Sequence, residues 1–391
     1  MRAGPGGSAP PWAAAVEQVR AVARDGADRT DRAAAFPVDA LAALRDTGLL
    51  GLTVPDRYGG SGGTIADLVD VTETLGRADM SVSMIFTMHC QQVAAIDSHG
   101  SEKLRAEVLP AVARGEVYLG SVTTEPGTGG HLLTSDSALV AEDGVLRIDR
   151  DAPVVTGGPY ADGFLITTRA PDATAPTQVD LVYAARDQLE LEVIGDWQPL
   201  GMRATHSVPM RLRGAVPEWQ VVGGHCGFRT VATAVFGPLA HLGWSAAWLG
   251  TAAGALSRVL HHARGAAGRR QFDSSSELLR VRLATIRGRI DTVHALLRHT
   301  VAVVESTEDR SAPKVQLLLN TLKIRAADEC FTAVHELVEL TGLRHGYLTG
   351  SPLALERAFR DLRSASLNYG NDRLRLANGS LALLDPEVRL A

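Results

Sequence analysis

The chain changes texture twice along its length. From residue 12 to residue 117 apolar positions recur mostly at helical intervals. Residues 13–24 are alanine-rich and periodic. Phe36-Pro37 opens a second segment, in which Leu41, Leu44 and Leu49 keep a roughly helical spacing. Proline suits a helix's first turn, and Gly48 is placed to break the last one. GLTVPDRYGGSGGT, residues 51–64, reads as a loop. Residues 65–76 and 82–99 predict two more helices. Ser101 is placed to cap a third, which Pro110 is expected to interrupt.

From residue 118 the period shortens. VYLGSVTT, VLRID, PVVTG, GFLITTR, VDLVYAA, LELEVIG and VPMRLRG are β-branched runs parted by Gly, Asp and Pro. They predict an antiparallel β domain, a small barrel being one form of it, over residues 118–220. Long Ala/Leu-rich helical segments then fill residues 221–391, with breaks at Gly237-Pro238, 311–313 and 342–350. The class is α+β, in the order helices, strands, helices. The strands do not alternate with helices, which disfavours a Rossmann fold. No internal repeat is visible. The Gly/Pro-rich start, residues 1–11, is expected to be a disordered leader.

Bulk properties narrow the function classes. A length of 391 residues suggests two or three subdomains, and 45% hydrophobic with 21% charged residues is ordinary for a soluble globular chain. A net charge of −5 leaves no electrostatic footprint for nucleic acid. No run reaches the ~18–20 apolar residues that cross a bilayer, and the start lacks the apolar core of a signal peptide. Cys90, Cys226 and Cys330 are far apart and form no CxxC pair. A zinc site is therefore not expected, and the odd count fits a reducing cytoplasm.

Six stretches, in order, carry a family resemblance. They are GLLGLTVPDRYGGSGG, GSEKLRAEVLPAVARGE, TTEPGTGG, PLGMRATHS, GRRQF and LERAFRDLRSASLNYGNDRL. They resemble motifs of the acyl-CoA dehydrogenase family: GxxxxxxPExYGGxG, GxEEQKxxYLPxLAxGE, TEPxAGSD, xLGxRASxT, RxQFG and ERxxRDAxxxxIYEGTSEIQ. The resemblance implies an N-terminal helical domain, a middle β domain and a C-terminal four-helix bundle. It implies FAD between the β domain and the bundle, reaching into a neighbouring subunit of a homodimer or homotetramer. It also implies an acyl thioester substrate, on CoA or a carrier protein.

Residue by residue, Thr123 and Thr124 fall where the family's TEP loop meets the flavin, and Gly129 and Gly130 fall at its pyrophosphate. Gly130 and His131 replace the family's Ser and Asp. In PVVTGGPYAD, Thr156 matches the hydroxyl near flavin N5, and Val154 replaces the stacking aromatic. Arg203 fits a structural role as well as substrate contact. Arg269, Gln271 and Phe272 match the residues that cover the partner subunit's FAD, although Asp273 and a shortened SSSELLRVRLATI depart from the pattern. Glu339 stands at the position of a Gln, Gly342 keeps a glycine at a close backbone approach, and Asn371 replaces a Thr beside the cofactor.

The catalytic carboxylate is missing. Tyr369 stands where the family's closing motif has its Glu, and Thr230 stands at the alternative position on the first bundle helix. An ordinary phenol, with a pKa near ~10, is protonated at pH 7. The backbone of Tyr369 and Gly370 retains the capacity to hold a thioester carbonyl. His89, Asp372 and Tyr369 itself are the candidate substitutes. The function expected first is α,β-desaturation of an acyl thioester with a displaced base; flavin-dependent monooxygenation, a non-oxidative cyclisation, and a partner protein without chemistry are the alternatives. Loss of the Glu favours monooxygenation. Retention of TEP favours desaturation, in the setting of specialised biosynthesis.

Overall fold

The computed structural model describes residues 10–127 and 131–391. The first helices are α1 (Ala13–Ala33), α2 (Val38–Asp46), α3 (Ile65–Gly76), α4 (Met80–His99) and α5 (Glu102–Ala113). Their starts follow the sequence signals. Thr64 and Asp67 form a capping box at α3, Asp79 caps α4, and the Ser101 hydroxyl accepts from the Leu104 N–H of α5. Gly48 adopts φ 73° and turns the chain out of α2. Pro110 does not interrupt α5, contrary to expectation. It sits in the last turn, where only one backbone hydrogen bond depends on its missing N–H.

The middle of the chain forms two four-stranded sheets rather than a closed barrel. The strands are β1 (Leu119–Val122), β2 (Val140–Glu142), β3 (Val145–Ala152), β4 (Gly163–Arg169), β5 (Val179–Ala185), β6 (Leu189–Val193), β7 (Met210–Pro217) and β8 (Val221–Val222). The orders are β1-β4-β5-β8 and β2-β3-β7-β6. All pairings are antiparallel except β1 with β4. The segment PVVTG is a loop leaving β3, not a strand. β2 and β8 lie outside the runs read as strands.

The C-terminal helices are α6 (Phe228–Val231), α7 (Gly237–Arg264), α8 (Ala266–Gln271), α9 (Glu277–Ser306), α10 (Pro313–Gly342), α11 (Leu355–Leu362) and α12 (Asn371–Ala382). A π-helical turn, Ala232–Phe236, leads into α7. α7 is buried nearly all round, as a central helix should be. Its glycines allow this. A Cβ on Gly250 would lie 2.1 Å from the Glu73 carbonyl oxygen of α3, and one on Gly254 would lie 2.7 Å from that of Arg77. Gly243 faces α4 too, where the Thr87 side chain fills the space a Cβ would take. Thus the bundle and the N-terminal helices meet backbone to backbone along α7. Among the described residues, no helix is long and apolar enough to cross a membrane.

The RD pair of the closing motif joins the three regions. Arg360 pairs with Asp31 of α1 at 2.6 Å and with Glu356 at 2.8 Å, and donates to the Leu200 carbonyl at 3.0 Å. Asp361 accepts from the Met202 N–H at 2.7 Å. Arg203 donates to the Asp31 carbonyl at 2.8 Å and to Pro199 at 3.1 Å, so in the chain it fastens one domain to another.

Candidate active site

The β-domain loops come first. Glu125 of TEP is buried and forms an ion pair with Arg150, which is 1% exposed at its side chain. Its carboxylate also accepts from the backbone of Asp136 at 2.8 Å and of Ser137 at 2.7 Å. Arg150 in turn donates to the Thr124 carbonyl at 3.0 Å. Burial alone would raise the Glu125 pKa, but the hydrogen bonds from Arg150, Ser137 and Asp136 prevail and hold it at about 2. The motif's acid is therefore a bracket for the loop. Thr123 is half-buried, and the Thr124 hydroxyl donates to the Val154 carbonyl at 3.0 Å. Gly129 and Gly130 lie outside the described residues. Thr156 shares a hydrogen bond with Ser207 at 3.0 Å, and Ser207 another with Thr205 at 2.8 Å, giving a line of three hydroxyls.

The second group gathers around Tyr369, which adopts φ 48° and is 39% exposed. Its carbonyl accepts from the Lys323 ammonium at 3.0 Å. The same ammonium donates to Asn371 Oδ1 at 2.8 Å and lies 5.6 Å from the centre of the Trp248 ring. Lys323 is fully buried, and that burial lowers its pKa to about 8 although Asp328 opposes the shift. His241 of α7 stands 6.5 Å from the Tyr369 ring, centre to centre. Burial, with the charge of Lys323, brings its pKa down to about 3, so the imidazole is neutral, and its Nδ1 has no hydrogen-bond partner.

The expectations meet this geometry unevenly. His89 is not placed to act as a base, and here the expectation is corrected. Its Nε2 meets the Leu50 carbonyl at 3.0 Å, and its Nδ1 accepts from the Leu119 N–H at 3.0 Å. Both nitrogens serve backbone groups, and burial lowers the ring's pKa to about 4. Asp372 is 98% exposed at its side chain and pairs with Arg375. Thr230 is also exposed. The Asn371 amide is committed to Lys323 and, at 3.0 Å, to Asp328, leaving no amide group turned to a cofactor. Glu339 points to solvent beside His335, at 3.5 Å.

Arg269, Gln271, Phe272 and Gly342 gather at the far end of α7. Gln271 donates to the Thr341 carbonyl at 3.0 Å and meets His262 at 3.2 Å. Phe272 packs edge-on to His262, and Gly342 has φ 69° with open space where a Cβ would stand. Arg269 is exposed, with Nε on the Arg264 carbonyl. From His241 to Arg264 an α-helix rises about 35 Å. This cluster and the Tyr369 group are therefore separate places on one chain. Among the described residues, no group of three His, Cys, Asp or Glu could hold a metal ion.

Lys323, His241 and the Glu125–Arg150 bracket were not among the expected site residues. Two had a signal. Lys323 is in phase with Leu319, Ala326 and Cys330 on the buried face of α10, and Arg150 shares the inward face of β3 with Leu146, Ile148 and Ala152. A charge on a buried face needs a partner. His241 sits in the apolar run GPLAHLG and has no such mark.

Comparison with known proteins fits this architecture. Residues 13–116 match the acyl-CoA dehydrogenase N-terminal domain, and residues 242–371 match the acyl-CoA dehydrogenase C-terminal domain. The chain belongs to the acyl-CoA dehydrogenase family. It is 24% identical over 351 residues to an isobutyryl-CoA dehydrogenase of Dictyostelium discoideum, covering 88% of this chain and 82% of that one. It is 26% identical to the amino sugar nitrososynthase DnmZ of Streptomyces peucetius, covering 87% and 84%. Its fold resembles FMN-bound TdsC from Paenibacillus sp. A11-2 with a TM-score of 0.83, at 21% identity over 97% of this chain and 98% of that one.

Proposed function

We propose that the protein is a flavin-dependent monooxygenase of this family. FAD is the form the FAD-facing motif matches suggest. The observation that carries this reading is the set of groups at the base position: a phenol, a neutral imidazole and a buried ammonium. The family's desaturation needs a carboxylate there to take the α-proton. A positive group beside Tyr369 favours developing negative charge on a bound molecule. The reading is supported by DnmZ, a relative named as an amino sugar nitrososynthase, and by TdsC, similar in fold and named as a dibenzothiophene monooxygenase. A substrate bearing an oxidisable sulfur, nitrogen or aromatic carbon is the class proposed here.

The residues fit a flavin. The hydroxyl line of Thr156, Ser207 and Thr205 and the bracketed Thr124 supply polar contacts on the β side. The exposed Arg269 and the positive-φ Gly342 suit a pyrophosphate. Because the Arg269–Gly342 cluster lies about 35 Å along α7 from His241 and the Tyr369 group, one cofactor meets both only if a second subunit supplies one of them. A homo-oligomer is part of the proposal. Bound, the flavin supplies electron transfer to oxygen or from substrate. The chain's own groups fix its edge and hold the Tyr369 backbone through Lys323.

Desaturation of an acyl thioester is the second reading, favoured by the unpartnered Nδ1 of His241 near Tyr369. Anaerobic titration of the flavin-loaded protein with isobutyryl-CoA separates the two. Under the first reading the yellow colour persists, and bleaching requires a supplied reductant. Bleaching by the thioester alone would overturn it in favour of the second.

A further inference from the structure

A second cleft lies away from Tyr369, between α1, the end of α3, the second half of α7 and the segment leading into α11. Its volume is about 610 Å³, within the range of small-molecule sites. Six arginines line it: Arg20, Arg24, Arg32, Arg77, Arg258 and Arg357. Four are matched by carboxylates: Arg20 by Glu17, Arg24 by Asp25, Arg32 by Asp28 and Arg77 by Glu73. The other two are not. Arg258 spends its bonds on carbonyls, that of Leu353 at 2.7 Å and that of Arg77 at 3.3 Å. Arg357 forms no hydrogen bond or close ion pair with any of the described residues, and the buried Asp79 and Asp361 act on it only at longer range.

Two guanidinium groups share the cleft, neither in a close ion pair, and the carboxylates whose charge reaches Arg357 are the buried Asp79 and Asp361, an unfavourable arrangement for two cations side by side. Burial first, and the charge of Arg357 after it, bring the Arg258 pKa down to about 10. The backbone adds to the cleft's positive character. α11 opens on this cleft at Ala354, which has φ 45° and no side chain able to cap the helix. The first N–H groups of α11 therefore lack a side-chain cap, and the dipole there favours an anion. The planar fork of arginine suits phosphate oxygens.

We propose that this cleft binds a phosphate-bearing dianion, with a diphosphate group the best match. Arg258 and Arg357 supply the two compensating charges, and Arg32 and Arg77 stand at the rim. The site is independent of the flavin reading and of the Tyr369 group.

The test is calorimetric titration of the flavin-loaded full chain, its Arg269 place already filled, with inorganic pyrophosphate at low ionic strength, where surface charge is least screened. Saturable binding at one site per chain is expected. Arg258→Gln is expected to weaken it by about tenfold or more, the loss of one charge-assisted contact. Because Arg258 also ties down the Leu353 carbonyl, Arg32→Glu is the second variant. Its side chain is 61% exposed, so folding is retained, and reversing a rim charge is expected to weaken binding as well. Arg269→Gln, at the other arginine place, is expected to leave the affinity unchanged. Absence of saturable binding, wild-type affinity in both cleft variants, or loss of binding in Arg269→Gln overturns the proposal.

Discussion

A histidine with both nitrogens on backbone groups is a device for stability. The neutral His89 ring matches its two partners, a donor to Leu50 and an acceptor for Leu119, and protonation would destroy the second bond. The unfolded imidazole titrates near ~6.5, and the folded one at about 4. Between those values the unfolded chain binds the proton and the folded chain does not. Stability therefore falls as pH drops through that window, by an amount on the order of 3 kcal/mol for this group. His89→Gln keeps one donor and one acceptor but does not titrate. Urea unfolding at pH 7.5 and pH 5 is expected to show a smaller acid loss in this variant than in the wild type. Equal losses would mean that the ring is not the acid-sensitive group.

Glycine placement governs how the elements approach. Gly250 puts α7 against the α3 carbonyl of Glu73 so closely that a Cβ would lie 2.1 Å away. Neither backbone yields easily at a buried contact, so Gly250→Ala is expected to cost about 1–3 kcal/mol or more, despite alanine's better helix propensity. Thermal unfolding checks this: a raised midpoint would show that the helices shift without strain. This scale also shows what the chain made legible. The start of α5 followed from Ser101, because caps are local chemistry, whereas Thr64 and Asp79, which cap α3 and α4, were not read as caps. The two-sheet arrangement and the parallel β1–β4 pair were not legible, because strand partners are chosen over long separations. In the site, motif positions such as Thr156 and Arg269 could be named from the sequence. The isolation of His89 could not, since it depends on Leu50 and Leu119 arriving from other elements. Asn371 was misread for a similar reason: its partner Lys323 is 48 residues away.

At the scale of the molecule, the RD pair decides whether three regions behave as one. Asp31 belongs to α1, residues 200–203 to the β domain and Arg360 with Asp361 to α11. Arg360 bridges them with side-chain exposures of 19% for itself and 9% for Asp31. Removing one member of a buried pair leaves the other charge uncompensated, at a cost of about 3–5 kcal/mol. Burial, reinforced by the charge of Asp79, pushes the Asp361 carboxyl up to about 7, although its bond from Met202 opposes this. The folded chain then holds a proton that the unfolded chain releases near ~3.9, so this carboxyl makes stability fall as pH rises from there towards 7. The junction and His89 thus act in opposite directions on the same pH axis. Arg360→Ala, Asp31→Ala and the double variant test the junction. The double variant is expected to lose less stability than the sum of the two singles, by about 2 kcal/mol or more, because the second substitution removes the charge that the first left unpaired. The tryptophans report on different regions: Trp12 on the N-terminal helices, Trp197 on the β domain and Trp248 on the bundle. With the pair intact, fluorescence and helical ellipticity should lose their native signals together in urea. In Arg360→Ala the two curves should separate, as regions no longer joined at Asp31 unfold at different denaturant concentrations. Coincident curves in that variant, or additive losses in the cycle, would locate the coupling along the glycine face of α7 instead.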